Sequence, residues 1–459
     1  MVFSSLVFLF VFLPLVIIIN YWLPSNLRNG FLFVANLIFY AFGEPVYVLL
    51  MLASILINYL FGLSLDVVSS TFARKFILVL STVLNLGALC FFKYTMLISD
   101  TLRIIPAFKD IPAFDIVLPI GISFYTFQAM SYVIDVYRRD CKCTRNFVTF
   151  GAYISLFPQL IAGPIVRYSD VERKMHTRHV TFEMFSNGIK LFVIGLSKKV
   201  LLANQFGIVW DTVSANTAMY GSFGAWIGAF AYALQIYFDF GGYSDMARGL
   251  GKMLGFDFCI NFSYPYISRS ITEFWRRWHI SLSTWFRDYV YIPLGGNRVS
   301  GFRHCMNILV VWALTGLWHG AGWNFVVWGV YYGIILLGEK MLYGKILKKA
   351  PKAVCHVYTL LIVTVGWIFF VSPDFTSAFA YLKYMFVPHG GNPELLMPWA
   401  VTFAVGIVSC TPLFAALMGM LKIKKKVVLV EGFLCCLGFL LCVASLVTQT
   451  YNPFIYFKF

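Results

Sequence analysis

The sequence predicts an all-α polytopic membrane protein, and its composition leads to that fold class. Apolar residues make up 60% of the 459 residues, charged residues only 12%, and the mean hydropathy is +0.77. A soluble domain carries about 25% charged residues, and a globule of this size has too little core volume to bury so many apolar side chains. The composition therefore excludes a soluble enzyme, a nucleic-acid-binding domain and a disordered chain.

Apolar runs near the length of a membrane span, about 20 residues, recur along the chain. The long runs cover residues 5–22, 47–63, 76–97, 116–136, 188–203, 221–238, 323–341, 357–371, 400–421 and 427–447. The first run lacks the basic start and cleavage site of a signal peptide, so we expect a retained anchor. With no internal repeat or linker, residues 1–459 are predicted to form a single integral-membrane domain.

Three shorter apolar runs cover residues 31–42, 147–162 and 305–317. Runs of this length predict re-entrant segments or helices that end inside the membrane. Pro158 and the pair Gly163-Pro164 indicate a broken segment, which is tolerated only where protein or a cavity satisfies the backbone. We therefore expect about 11 crossings plus re-entrant and amphipathic pieces.

The distribution of positive charge predicts the orientation. The net charge is +16, which in a membrane protein indicates cytoplasmic loops facing anionic lipid rather than a nucleic-acid partner. The densest basic runs are 73–75, 138–145 (RRDCKCTR), 345–352 (KILKKAPK) and 422–426 (KIKKK). Placing all four in the cytoplasm puts both the N-terminus and Phe459 outside it.

The ten cysteines do not indicate a disulfide framework. Five of them lie in apolar runs, where a thiol acts as a small hydrophobic group. Cys141 and Cys143 form the one close polar pair. Because no second pair lies nearby, we predict no metal site.

Residues 270–286 have the pattern of an amphipathic helix. Ser270-Ile271-Thr272-Glu273 is a capping box that opens a helix. Apolar residues follow at helical spacing through Phe286. These residues predict a helix at the membrane interface or against a polar cavity. His279 borders its apolar face, and the pattern alone favours a histidine that merely forms a hydrogen bond.

His319 lies between two apolar segments and is flanked by glycines. From the cytoplasmic Arg303 side, about 14 helical residues rise about 21 Å, which is less than a hydrocarbon core of about 30 Å. His319 is therefore predicted within the membrane thickness. An ionisable side chain there indicates a functional site, although a neutral histidine bonded to a neighbouring carbonyl remains equally open.

Residues 237–245 (YFDFGGYSD) are predicted to end a span with two carboxylates. Asp239 could orient a histidine or pair with Arg276 or Arg277. An exposed aspartate beside helix-ending glycines is the other interpretation, and the sequence does not decide between them. The glycine pair alone is a weak signal for a phosphate-binding loop.

These motifs together resemble the membrane-bound O-acyltransferase family. The resemblance is carried by residues 123–128 (SFYTFQ), 157–164 (FPQLIAGP), 237–245, 274–291 with 292–296 (IPLGG), and 314–320 (LTGLWHG). In this order they are highly specific. The overall sequence is similar to the bacterial branch that includes the membrane subunit of alginate O-acetyltransferase.

The resemblance implies a ring of helices around a tunnel that joins a cytoplasmic donor mouth to an outer acceptor funnel. It makes His319 the catalytic histidine and His279 a second site nearer the cytoplasm. Candidate residues for donor contact or for shaping the tunnel are Arg276, Arg277, Trp278, Trp285, Arg287, Asp288 and Asp239. We expect no bound cofactor and no metal.

The implied activity is transfer of an acyl group from a cytoplasmic thioester, acetyl-CoA, to a hydroxyl outside the cell. The expected location is a bacterial inner membrane. The expected partners are an extracytoplasmic or membrane-anchored transferase and a polysaccharide as final acceptor. Three alternatives stay open: D-alanyl transfer to teichoic acid from a carrier protein, a proton-coupled transporter, and a non-catalytic scaffold.

Overall fold

The computed structural model of the protein describes residues 1–459 except 113, 115, 414–415, 417–426, 450 and 456–459. Within these described residues every regular element is a helix, which confirms the predicted all-α class. The predicted basic run 422–426, the end of the predicted span 400–421 and the terminal Phe459 lie outside the described residues.

The α-helices of the described residues are numbered here in chain order. They are α1 Leu13–Trp22, α2 Arg28–Ala41, α3 Val48–Val67, α4 Thr71–Leu102, α5 Ile122–Arg138, α6 Phe147–Ile154, α7 Phe157–Leu160, α8 Tyr168–His176, α9 Phe182–Ser197, α10 Asn204–Ala215, α11 Thr217–Leu254, α12 Ile271–Arg277, α13 Ile280–Phe286, α14 Gly301–His319, α15 Trp323–Gly338, α16 Gly344–Lys349, α17 Lys352–Val371, α18 Phe375–Phe386, α19 Ala400–Ser409 and α20 Val427–Thr448. Segments of π-helix cover Phe8–Phe12, Lys198–Ala203, Arg287–Tyr291 and Glu339–Tyr343. Short 3₁₀ turns cover Pro106–Phe108, Pro265–Ile267 and Pro393–Trp399.

Within the described residues, six helical stretches are long and apolar enough to cross a membrane. They are Val48–Val67, Thr71–Leu102, Phe182–Ala215, Trp323–Lys349, Lys352–Val371 and Leu429–Thr448. Phe8–Trp22 and Pro393–Ser409 are shorter apolar stretches. Large apolar side chains such as Phe76, Val83 and Phe91 on α4 are exposed, as suits a lipid-facing surface. The polytopic class is thus supported, and the count of about 11 crossings stays a prediction.

Contacts divide the chain into two compact units. The first contains Met1–Phe192 and Asp245–Cys259, and the second contains Val193–Ser244 and Ile260–Phe459. In the first unit α5 packs against α3 and α4, and α2 packs against α6. All candidate site residues named above lie in the second unit. The single-domain prediction over residues 1–459 stays a prediction.

The first unit contains the predicted broken segment. Helix α6 ends at Ile154, and α7 begins at Phe157 with Pro158 in its first turn. The buried Asn36 closes the break, because its amide nitrogen donates to the Ala152 carbonyl at 3.3 Å and its side-chain oxygen accepts from the Phe157 N–H at 3.1 Å. A side chain therefore satisfies the freed backbone, as a membrane interior requires.

One span boundary was wrong. Helix α11 does not end near Asp239 but continues through Gly241 and Gly242 to Leu254. A methyl group on Gly242 would lie 2.7 Å from the Gly195 carbonyl oxygen. This glycine therefore permits the close approach of another helix, a role that a sequence pattern cannot separate from helix termination.

In the second unit, α14 and α15 form a tight helical pair that positions His319. A methyl group on Gly316 would lie 2.1 Å from the Phe325 carbonyl oxygen, and one on Gly329 would lie 2.1 Å from the Trp312 carbonyl oxygen. Only glycine fits at these two positions. Around this pair the core is largely aromatic, with Trp278, Trp328, Trp367, Tyr332 and Phe274 almost fully buried.

Candidate active site

The predicted amphipathic helix is broken at its centre. Ser270 caps α12 as predicted, since its hydroxyl accepts a hydrogen bond from the Glu273 N–H at 3.0 Å. Helix α12 then ends at Arg277, Trp278 is extended, and His279 adopts φ 44° and ψ 55° before α13 begins. The prediction of one helix through residue 286 is therefore wrong. Left-handed backbone is uncommon outside glycine, so other contacts must hold His279 in place.

Asn261 holds the break between α12 and α13. Its backbone carbonyl accepts from the Ile280 N–H at 3.0 Å. Its side-chain oxygen accepts from the Ser281 N–H at 3.2 Å and from the Ser281 hydroxyl at 2.9 Å. The same oxygen lies 3.2 Å from Nδ1 of His279. Sequence reasoning missed Asn261, because it lies 18 residues from His279 and belongs to no recognisable motif.

This contact assigns the tautomer of His279. The Ser281 N–H can only donate, so the Asn261 side chain must present its oxygen, which can only accept. The His279 proton therefore lies on Nδ1, and Nε2 carries the lone pair. Nε2 is buried and has no hydrogen-bond partner among the described residues. A histidine held this way can accept a proton or a hydrogen bond at Nε2.

His279 borders a cavity of about 270 Å³. The cavity is lined by Thr272, Trp275, Arg276, His279, Leu282, Ser283, Phe286, Arg287, Tyr291, Ile308, Val311, Trp312, Thr315 and Leu336. Arg276 and Arg287 are exposed, whereas His279 is buried. Arg287 binds Asp288 at 2.6 Å, but Arg276 makes no ion pair within the described part of the chain. The cavity thus joins a free guanidinium at its rim to a neutral imidazole inside.

Other predicted residues lie beside the cavity rather than in its lining. Arg277 pairs with Glu273 at 3.0 Å and donates to the Ser263 carbonyl at 3.1 Å. Trp285 is buried and packs against Phe286. These contacts place Arg277 and Trp285 in the structural support of α12 and α13.

His319 is the last residue of α14 and borders a much smaller chamber of about 20 Å³. The chamber is lined by Ile236, Asp239, Phe240, Trp278, His319, Trp367, Phe370, Phe454 and Ile455. Rings approach His319 from several directions, with Trp328 at 5.2 Å and Phe370 at 5.3 Å between centroids. Space for about one water molecule therefore lies beside the imidazole, in otherwise aromatic surroundings.

The two histidines share a neighbour. The ring centroid of Trp318 lies 5.0 Å from that of His319 and 5.8 Å from that of His279. Phe240 also contacts His279, at 4.7 Å, and lines the His319 chamber. The structure therefore brings His279 and His319 to shared aromatic neighbours, Trp318 and Phe240, although they are 40 residues apart in sequence.

Asp239 has a different partner from those considered for it. Its Oδ1 lies 2.7 Å from the Lys199 ammonium, and both side chains are almost fully buried. Its Oδ2 accepts from the Ile455 N–H at 2.7 Å. Asp239 is therefore neither an exposed helix terminus nor the partner of Arg276 or Arg277. Lys199 lies in a π-helical turn within an apolar run, so no sequence pattern indicated this pair.

Glu339 is a second residue that sequence reasoning missed. Its buried carboxylate accepts hydrogen bonds from the backbone N–H groups of Ile271 and Thr272 at 2.6 and 2.8 Å and from the Thr272 hydroxyl at 2.6 Å. Tyr358 adds a further bond at 3.2 Å. A carboxylate suits the positive end of a helix, so Glu339 fixes the start of α12, which carries Arg276 and leads into His279.

Nothing in the described part of the chain resembles a metal site, since no three histidine, cysteine, aspartate or glutamate side chains are grouped there. The arrangement offers two imidazoles, guanidinium groups at a cavity rim and a small, largely apolar chamber. It is suited to proton transfer at a reacting hydroxyl.

Comparisons with known proteins show which family the chain resembles. A profile of the MBOAT, membrane-bound O-acyltransferase family, matches residues 144–381. The probable alginate O-acetylase of Azotobacter vinelandii is 44% identical over 392 residues, which cover 84% of this chain and 78% of that protein. The matched region contains both histidines and the helices that position them.

Two further relatives differ in how much they share. The peptidoglycan O-acetyltransferase of Helicobacter pylori is 32% identical over 432 residues, covering 84% of this chain and 80% of that protein. The teichoic acid D-alanyltransferase of Streptococcus thermophilus is 30% identical over 238 residues, covering 48% of this chain and 56% of its own length. The similarity to the O-acetylating relatives is therefore the more extensive.

Proposed function

The chain belongs to the membrane-bound O-acyltransferase family, and from this premise we propose that it carries acetyl groups out of the cytoplasm for O-acetylation of a surface polysaccharide. It is a membrane O-acyltransferase. The donor in this proposal is cytoplasmic acetyl-CoA, and the final acceptor is a hydroxyl of an extracellular or cell-wall polysaccharide. The observation that carries the proposal is the pair of histidines that share Trp318 as a neighbour while each lines its own cavity.

We also propose a membrane topology that is consistent with this function. About 11 crossings form a ring around a tunnel in a bacterial inner membrane, with both termini outside the cytoplasm. The basic runs 138–145 and 345–352 support this orientation. Helix α14 has 19 residues, a length of about 28 Å, which is close to the hydrocarbon thickness of about 30 Å. His319, at its far end, is then nearer the outer face than His279.

The cavity beside His279 is the proposed donor site. Its volume of about 270 Å³ suits the thioester arm rather than the whole of CoA. Arg276, free of internal ion pairs in the described part of the chain, contacts phosphate at the rim, and Arg287 assists it. The arm then lies along Trp275 and Leu282, with its thioester directed past His279 toward Trp318.

The chemistry takes place beside His319. A neutral imidazole accepts the proton of an acceptor hydroxyl while the hydroxyl oxygen attacks the thioester carbon. The carbon–sulfur bond breaks, and the proton is passed to the departing thiolate. General base catalysis of this kind contributes about 10²–10⁴-fold. A chamber with room for about one water-sized group admits a hydroxyl and excludes bulk water.

His279 has a supporting role in this scheme. With its proton on Nδ1, its Nε2 can accept a hydrogen bond from the donor arm or relay a proton toward the thiolate. No serine nucleophile and no acyl-enzyme is needed, because donor and acceptor meet directly. The hydroxyl that receives the acyl group in this step belongs to the extracytoplasmic or membrane-anchored partner transferase, which then transfers the group to the polymer.

D-alanyl transfer from a carrier protein is the second candidate. It is favoured by the similarity to the Streptococcus thermophilus D-alanyltransferase, although that similarity covers only 48% of this chain. The shared chemistry is attack on a thioester, so the site geometry is compatible with both donors.

Membranes of polymer-producing cells, which supply the acceptor, incubated in parallel with [¹⁴C]acetyl-CoA and with a labelled D-alanyl carrier protein, distinguish the two. We expect acetyl transfer to the polymer and no D-alanyl release. A His319→Ala variant folded to the same yield is the matched control and should lose that transfer. Turnover of the D-alanyl carrier alone would refute the acetyl donor, and uptake without turnover would favour a transporter.

A further inference from the structure

Residues 451–455, called the strap below, form an irregular segment that is fixed to the second unit at every position. The Tyr451 hydroxyl donates to Asp211 at 2.6 Å, and Asn204 donates to the Asn452 side chain at 3.3 Å. The Lys199 ammonium donates to the Pro453 carbonyl. The density of these contacts indicates a segment that is built in rather than a loosely attached tail.

The buried ion pair serves the strap. Lys199 and Asp239 bind each other, and each also binds a backbone group of the strap: Lys199 the Pro453 carbonyl, Asp239 the Ile455 N–H. A buried ion pair is weak evidence for stability, since two apolar side chains often do as well. Here Lys199 and Asp239 also satisfy two buried backbone groups of the strap that no helix or sheet satisfies. Leaving such buried groups without a hydrogen bond would be costly.

The strap also forms part of the His319 chamber. Phe454 stacks on Tyr243 with ring centroids 4.8 Å apart. Phe454 and Ile455 are 8% and 6% exposed, and they supply two of the nine residues that line the chamber. Removing either side chain would enlarge a space that now admits about one water molecule.

We propose that the strap determines acceptor specificity by keeping water away from the thioester at His319. This proposal rests on the function proposed above. His319 can accept a proton from water as readily as from an alcohol, so the protein must exclude water to avoid wasting donor. Phe454 and Ile455 provide that exclusion, and the Lys199–Asp239 pair holds them in position.

The side reaction prevented is thioester hydrolysis. The carbon–sulfur bond of acetyl-CoA breaks, and a carbon–oxygen bond to water forms. One proton of the water ends on the CoA sulfur, and the products are CoA thiol and acetic acid. No oxidant, reductant or further reactant is required.

The test uses membranes of polymer-producing cells supplied with [¹⁴C]acetyl-CoA, and compares label released as acetate with label recovered in the polymer. We expect Phe454→Ala to raise the ratio of hydrolysis to transfer on the order of tenfold, equivalent to about 1.4 kcal/mol. Phe403→Ala is the matched control, because Phe403 packs on Phe206 at 5.2 Å and does not line the chamber.

Two further variants keep the test decisive if Phe454→Ala does not accumulate. The double variant Lys199→Met with Asp239→Leu removes the ion pair that holds the strap and leaves no buried charge behind. It should also raise the ratio of hydrolysis to transfer. Tyr451→Phe, which loses only its bond to Asp211, should raise it less. If wild-type membranes transfer acetyl but no strap variant changes the ratio, the strap proposal fails; if wild type neither transfers nor hydrolyses, the proposed function fails.

Discussion

The surroundings of His279 and His319 are built in different ways. His279 lies in a polar frame: Asn261 and Ser281 hold the break between two short helices beside a cavity of about 270 Å³, and Glu339 caps the start of the first of these helices. His319 ends a long helix in an aromatic frame, beside a chamber of about 20 Å³. We propose that the difference reflects a division of labour, in which the wider, largely apolar cavity with arginines at its rim binds the donor and the narrow aromatic chamber carries out the transfer.

The largest expected effect separates the two histidines directly. His319→Ala should lower kcat for acetyl transfer by about 10²–10⁴-fold with little change in KM, because it removes the base and not the donor contacts. His279→Ala should change both constants. Initial rates over a range of acetyl-CoA concentrations measure the split. A His319→Ala variant that keeps its kcat would remove the proposed distinction.

Asn261→Asp tests the polar frame next. A carboxylate beside Nδ1 favours the imidazolium form of His279, which no longer accepts at Nε2. The acid limb of the pH–rate profile should therefore move to higher pH, so that activity is lost first on the acid side. At neutral pH we expect activity to fall roughly 10–100-fold, the size of effect seen when a residue that hydrogen-bonds to a metal-binding histidine is replaced. Ser281→Ala keeps the amide contact and should leave the profile in place.

Arg276→Met tests donor binding at the cavity beside His279. We expect KM for acetyl-CoA to rise about tenfold, a change of about 1.4 kcal/mol, with kcat maintained and the difference smaller at high salt. Arg277→Met is the matched control, because Arg277 pairs with Glu273 and does not line the cavity. Equal effects of the two substitutions would argue against Arg276 as a phosphate contact.

The smallest effect on activity is expected from Glu339→Gln. The substitution turns an amide group toward backbone N–H donors at the start of α12, and should cost about 1–3 kcal/mol of stability. A lower thermal midpoint in detergent measures it, with Glu394→Gln on an exposed residue as control. An unchanged midpoint would show that α12 does not depend on this carboxylate.

Local patterns predicted much of the helical framework. Apolar run length located many of the helices, and Ser270 correctly marked the start of α12. The short, contiguous motifs around His279 and His319 singled out both histidines, whose roles rest on the family resemblance and stay predictions. The break at His279 was missed, because a left-handed backbone there depends on Asn261, which the chain brings in from outside the helix.

Long-range polar contacts account for the other errors. The Lys199–Asp239 pair, the Glu339 cap and the strap each join residues more than 35 positions apart, so no periodicity records them. The glycines after Asp239 were mistaken for a helix end because helix packing and helix termination both select glycine. Side chains that serve the tertiary structure were thus the least predictable part of the site.

The most direct test of the central claim is a structure of the protein in nanodiscs with a non-hydrolysable acetyl-CoA analogue. We predict the phosphates at Arg276, the arm in the cavity beside His279 and the acyl carbon beside the His319 imidazole. An analogue whose acyl end lies away from His319, with Trp318 and the small chamber undisturbed, would contradict the account.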